Sequence, residues 1–127
     1  MITIRRLLPA LLVLLGTLGV VDIASTATPE EVTAQCTKGN ASACFKLGNT
    51  YYKGEGVTQD RFKAAEFFRQ ACDGQYAKGC NNLGVMYEHG KGVPQSREDA
   101  LTFYGKACDL KSKIGCRLNA ELKTGKK

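Results

Sequence analysis

Six cysteines carry most of the chemistry that this sequence could perform. They fall as Cys36 and Cys44, Cys72 and Cys80, and Cys108 and Cys116, each pair eight residues apart and each pair 36 residues after the last. Metal ligation fits this spacing poorly: no pair is a CxxC, and His89 is the one histidine. No metal or cofactor is therefore expected. Six cysteines admit many pairings, but equivalent positions of a repeated unit should make equivalent bonds. The spacing predicts Cys36–Cys44, Cys72–Cys80 and Cys108–Cys116, each bridge closing a short loop worth roughly 2–3 kcal/mol. Cysteines held in bridges leave no thiol nucleophile. A serine acyl-transfer site of the Ser-x-x-Lys type needs a lysine one turn from the nucleophile. Ser42, Ser96 and Ser112 are followed three places on by Phe45, Asp99 and Gly115. These residues read as scaffold, not as catalytic machinery.

The cysteines share their period with the rest of the chain. Residues 41–76 match residues 77–112 at 15 of 36 positions, including Leu47/Leu83, Gly48/Gly84, Tyr51/Tyr87, Gly54/Gly90, Gln59/Gln95, Phe67/Phe103 and Cys72/Cys108. A fixed period in the thirties is the mark of a stacked repeat. Each unit holds two helices. Ala43, Leu47, Gly48 and Tyr51 recur at three- and four-residue steps, giving one apolar helical face from about Ala41 to Tyr52. Gly54-Glu55-Gly56-Val57 reverses the chain. Asp60 then caps a second helix whose buried side carries Ala64, Phe67, Phe68 and Ala71. Tyr51, Tyr87, Phe67 and Phe103 are expected in the core. Gly48 and Gly84 are expected where a bulky side chain from the neighbouring helix packs.

The second unit repeats this plan, with Pro94 in the turn and Ser96 as cap. A half unit precedes the first complete one. It starts with Pro29 and the acids Glu30 and Glu31, and Gly39 stops it. A looser helix from Lys113 to about Lys123 follows the second unit, with Asn119 and Ala120 at the Leu83 and Gly84 positions. The expected organisation is a half repeat at 29–40, repeats at 41–76 and 77–112, and a capping helix at 113–123 within a domain at 28–125. In all, six helices are stapled from one repeat to the next.

Residues 1–27 read as a secretory signal peptide. Arg5 and Arg6 precede an uncharged apolar run from Leu7 to Val21, and Ser25-Thr26-Ala27 supplies small residues for cleavage. The run is shorter than the ~20 residues of a typical spanning helix. A secreted or periplasmic protein with no lasting membrane span is expected, in a compartment where disulfides persist. The charge is uneven: residues 28–110 hold ten basic and ten acidic side chains, whereas 111–127 hold six basic residues against Glu121. A solvated terminus accounts for that tail more simply than nucleic acid, and export makes nucleic acid a poor partner.

The string Leu47-Gly48, Tyr51, Gly54-Glu55-Gly56-Val57, Asp60, Lys63-Ala64, Phe67 and Ala71-Cys72 resembles the Sel1-like repeat. With its paired cysteines the chain is similar to the Helicobacter cysteine-rich (Hcp) proteins. The second unit departs from the pattern at Ser96 and Asp99. The resemblance implies an all-α, tetratricopeptide-like α/α solenoid that binds a protein or peptide, or a cell-wall-derived ligand, along a concave face lined by the first helices. It places Phe45, Asn49, Tyr52, Asn81, Asn82, Val85, Glu88, His89, Arg117 and Glu121 in that groove. Asn49 and Asn82 fall where some tetratricopeptide domains hold a peptide carboxylate, and Arg117 could add a cation. Ordinary solvation explains these three residues more simply. The resemblance also implies β-lactam binding or hydrolysis as an alternative, which the serine spacing and the single histidine do not favour.

Overall fold

Two kinds of turn alternate along the chain, and their chemistry sets the architecture. The computed structural model describes residues 27–126, so the leader expected at the N terminus lies almost wholly outside the described residues. The helices are α1 (Pro29–Thr37), α2 (Ala41–Lys53), α3 (Arg61–Asp73), α4 (Ala77–His89), α5 (Arg97–Asp109) and α6 (Lys113–Thr124). Neighbours in sequence pack against each other throughout. Among the described residues there is no strand and no helix long and apolar enough to cross a membrane. The fold is the all-α repeat solenoid that the period implies.

Within each repeat the turn is held from the glutamine. Gly54 and Gly90 end α2 and α4 in the left-handed region, at φ 75° and 64°. The Asp60 and Ser96 amides then donate to the carbonyls of Tyr51 and Tyr87, both at 2.9 Å. The Gln59 and Gln95 side chains donate to the carbonyls of Tyr52 and Glu88, both at 2.8 Å. Those bonds tie off helix-end carbonyls that have no partner within the helix, which is why glutamine returns with the period. Asp60 and Ser96 cap the helices that follow, and Thr28 forms a reciprocal capping box with Glu31.

Between repeats the turn is shorter and carries the bridge. All three disulfides pair as the period predicts, with Cα separations of 4.7, 4.6 and 4.4 Å along the chain. The residue at the bend has positive φ each time: Gly39 at 94°, Gln75 at 66° and Lys111 at 72°. Glycine is at ease there, but a side chain is not, at a cost of about 1 kcal/mol or more. Gln75→Gly should therefore raise stability by about 0.5–1 kcal/mol in urea unfolding. A loss would show that the Gln75 side chain contributes more than its backbone strain costs.

The core lies between the helix layers, and it corrects one sequence expectation. Phe68 and Tyr104, 1% and 0% exposed, fill the centre with Leu83, Met86, Ala64 and Ala100. Each rests directly on a glycine of the preceding helix: a Cβ on Gly48 would collide with the Phe68 ring, and one on Gly84 would lie 2.6 Å from Tyr104 Cδ1. Tyr51, Phe67 and Tyr87, expected in the core, are only half-buried; Phe103 alone of the four is buried. They form two stacked pairs, Tyr51 on Phe67 at 5.6 Å and Tyr87 on Phe103 at 5.5 Å. Cations cover the stacks. Lys63 lies over Tyr51 and Lys106 over Phe103. Arg69 lies over both Tyr87 and Phe103 and donates to the Tyr87 hydroxyl at 2.6 Å, so it couples one repeat to the next. Helix periodicity put two adjacent aromatics near one face, and the ring that reaches the glycine is the second.

Helix α6 is the last of the described helices. Gly115 is its one fully buried residue, and Asn119, at the Leu83 position, donates to the Leu101 carbonyl at 2.8 Å. A polar side chain thus stands at the position that Leu83 fills in α4.

Candidate functional site

The first helices of the units, α2, α4 and α6, line the front of the solenoid, and two hollows open between them. The first, about 220 Å³, lies between α2 and α4. Asn49, Lys53 and Asn82 supply its polar groups, and Tyr52, Phe68, Val85 and Met86 its apolar surface. Its lining contains no carboxylate. Arg61 sits over the Tyr52 ring, 5.5 Å from its centroid, and holds that wall in place. Lys53 is solvent-exposed, and its 3.8 Å pair with Glu55 is an open surface contact of small energy.

The second hollow, about 560 Å³, lies between α4 and α6. Val85, Glu88 and His89 come from α4, and Arg117, Leu118, Glu121 and Leu122 from α6; Arg97 and Tyr104 of α5 reach in from behind. Its charges are engaged within the protein. Arg117 Nη1 meets Glu121 Oε1 at 2.9 Å, the Tyr104 hydroxyl donates to Glu88 Oε2 at 2.7 Å, and Arg97 donates to the Leu122 carbonyl.

Burial first, then the hydrogen bond that the hydroxyl donates to Glu88 and the negative charge of that carboxylate, push the Tyr104 phenol above the ordinary tyrosine range. Because the folded value exceeds the unfolded one, the stabilising contribution is complete below the ordinary tyrosine pKa. It is lost as alkali passes that value and ionises the unfolded chain. An ultraviolet titration should show one tyrosine resisting ionisation until the fold opens, and Tyr104→Phe should abolish that late step. An unchanged titration would contradict this placement.

Eight of the ten groove residues expected from sequence line these two hollows. Asn49, Tyr52, Asn82 and Val85 share the first, and Val85, Glu88, His89, Arg117 and Glu121 share the second. Arg117 is thus separated from the two asparagines it was expected to assist, and Lys53 is the cation beside them. Phe45 and Asn81 are corrections. Phe45 turns inward against Phe68 and Tyr76, with centroids at 5.7 and 5.2 Å. Asn81, 36 residues later, is only 9% exposed and donates to Ser112 Oγ at 2.9 Å. Ser112 is the counterpart of Tyr76, so an aromatic contact in one repeat becomes a hydrogen bond in the next. Both positions lie on the flank of the first helix facing the next inter-repeat turn, which heptad-like spacing did not separate from the front.

Sequence reasoning missed Lys53, Phe68, Arg97 and Tyr104. The signal for the last was present: between the repeats, Tyr52 becomes Glu88 while Phe68 becomes Tyr104. The three serines among the described residues serve local structure. Ser96 and Ser112 cap helices, and Ser42 donates to the Asn40 side chain that caps α2. Among the described residues no cluster of His, Cys, Asp and Glu could hold a metal ion.

A family model for the Sel1 repeat matches residues 41–76 and 77–112, more than half of the chain. The chain belongs to the Sel1 repeat family. The resemblance to cysteine-rich Sel1 proteins also holds in three dimensions. The structure of Helicobacter pylori cysteine-rich protein B is 31% identical with a TM-score of 0.69, over 70% of this chain and 67% of that one. A Sel1 repeat protein from Oxalobacter formigenes is 24% identical with a TM-score of 0.66, over 71% of this chain and 68% of that one, and supports the fold. A protective antigen of uropathogenic Escherichia coli strains is 28% identical with a TM-score of 0.65 over 68% of this chain, which spans 18% of that protein. Comparison with curated proteins returns no match. This Sel1 repeat protein, similar to a cysteine-rich Helicobacter protein, is disulfide-rich, with all six cysteines in bridges.

Proposed function

We propose that the protein is an exported peptide-binding module that takes the C-terminal end of a peptide in the α2–α4 hollow. The carrying observation is that Asn49, Asn82 and Lys53 meet around an apolar floor with no acid in the lining. Two amides and an ammonium can hold a carboxylate by charge-assisted hydrogen bonds, while Tyr52, Val85 and Met86 take the last side chain. The hollow's volume suits one such side chain and its carboxylate, not a long epitope. The α4–α6 hollow would receive the preceding residues, since Val85 borders both. Export is supported by the leader-like residues 1–27, by the three bridges and by the likeness to the Helicobacter protein.

The test is selection from a peptide library displayed with free C termini, followed by titration of the selected peptide. Asn49→Ala and Asn82→Ala should each weaken binding about 10-fold, the worth of one charge-assisted hydrogen bond. Thr33→Ala, on the exposed face of α1, should change nothing. Binding that ignores both asparagines would overturn the assignment.

A further inference from the structure

The three bridges are chemically alike in spacing but not in access. Cys36, Cys44, Cys72 and Cys80 are 5%, 2%, 5% and 0% exposed. Cys108 is half-buried and Cys116 is exposed. This third bridge lies on the floor of an open surface hollow, beside Lys111 and Lys113 with Asp109 at the edge. Among the described residues no helix covers it, whereas the second bridge is packed within the central core cluster.

We propose that Cys108–Cys116 is a thiol-exchange site for small soluble thiols, and that its opening releases α6. An external thiolate attacks Cys116 Sγ, the sulfur of the more exposed cysteine. A new bond joins the external sulfur to Cys116 as the Cys108–Cys116 bond breaks, and Cys108 leaves as a thiolate that takes a proton from water. A second external thiol resolves the mixed disulfide, leaving two cysteine thiols and one oxidised pair of external thiols. The two lysines favour this step twice, by drawing an anionic thiolate to the hollow and by stabilising the departing one. Cys72 also borders a surface hollow, but it is 5% exposed and the other two bridges are packed in core clusters, so exchange there is slower.

The structural consequence follows from how little of α6 is buried: it packs along α5, yet only one of its residues, Gly115, is fully covered. Beyond the bridge and this packing it keeps the Asn81–Ser112, Asn119–Leu101 and Arg97–Leu122 hydrogen bonds. Since α6 forms one wall of the larger front hollow, its release dismantles that hollow and leaves the α2–α4 hollow in place. The exchange itself does not depend on what the groove binds.

The experiment exposes the folded, oxidised protein to reduced glutathione or dithiothreitol, quenches with iodoacetamide at intervals and locates the label by peptide mass spectrometry. Cys108 and Cys116 should be labelled at least about 10-fold faster than the other four, with glutathionylated Cys116 trapped on the way. In parallel, amide exchange should accelerate over residues 113–124 while α2–α4 stay protected. Simultaneous opening of all three bridges, or earlier opening of either of the others, would overturn the proposal. The double variant Cys108→Ser/Cys116→Ser should reproduce the exchange pattern without any thiol. Should it fail to fold, α6 is not separable and that part is overturned, while the labelling order still decides the exchange site.

Discussion

Phe68→Ala should lower stability by about 3–5 kcal/mol, the range for deleting a fully buried aromatic ring, and Phe67→Ala by only about 1 kcal/mol. The two residues are adjacent and chemically identical, so the difference comes from packing alone. Phe68 is buried against Leu83 and Met86 at the junction of both repeats, with Phe45 against its edge. The surface of Gly48 is shaped around it, so neither side can collapse far into the cavity. Phe67 is half-buried and loses one stacking partner, Tyr51. A domain of about 100 residues has roughly 5–15 kcal/mol in total, so Phe68→Ala should leave a visibly destabilised fold in urea. Equal losses at the two positions would place the core elsewhere.

Replacing the central bridge, Cys72→Ala with Cys80→Ala, should cost about 2–4 kcal/mol. Roughly 2–3 kcal/mol is the loop-closure contribution of a short ring, and the buried sulfurs, which pack within the central cluster, add to it. The bridge also sits beside the strained Gln75 bend, so its removal frees the turn that sets one repeat against the next. The same substitution at Cys108 and Cys116 lacks the packing contribution and should act on α6 alone. Thermal unfolding of the two double variants would separate these cases. A central bridge whose loss leaves the midpoint unchanged would contradict the account of the inter-repeat turn.

The sequence exposed features that repeat, and hid those that differ between repeats. Six helices, the caps at Asp60 and Ser96, and all three disulfides followed from the 36-residue period, because each depends on local spacing that both units share. Choosing between Phe67 and Phe68 required knowing which ring reaches the glycine of the preceding helix, and a 3.6-residue periodicity does not resolve neighbours that lie 100° apart. Asn81 looked like a groove residue because Phe45 and Arg117 share its register. Its burial depends on Ser112, a residue 31 positions away in the next turn. Lys53 joined Asn49 and Asn82 only when α2 and α4 were set side by side. The front hollows arise from distances between repeats, which a period measured along the chain does not contain.

The most direct measurement compares one selected peptide as its free acid and as its C-terminal amide, titrated against the same oxidised protein. If Asn49, Asn82 and Lys53 hold a terminal carboxylate, the amide should bind about 10-fold or more weakly. The difference should shrink in the Asn49→Ala variant. Acid and amide binding equally well would contradict the account, because the α2–α4 hollow would then recognise no terminal carboxylate.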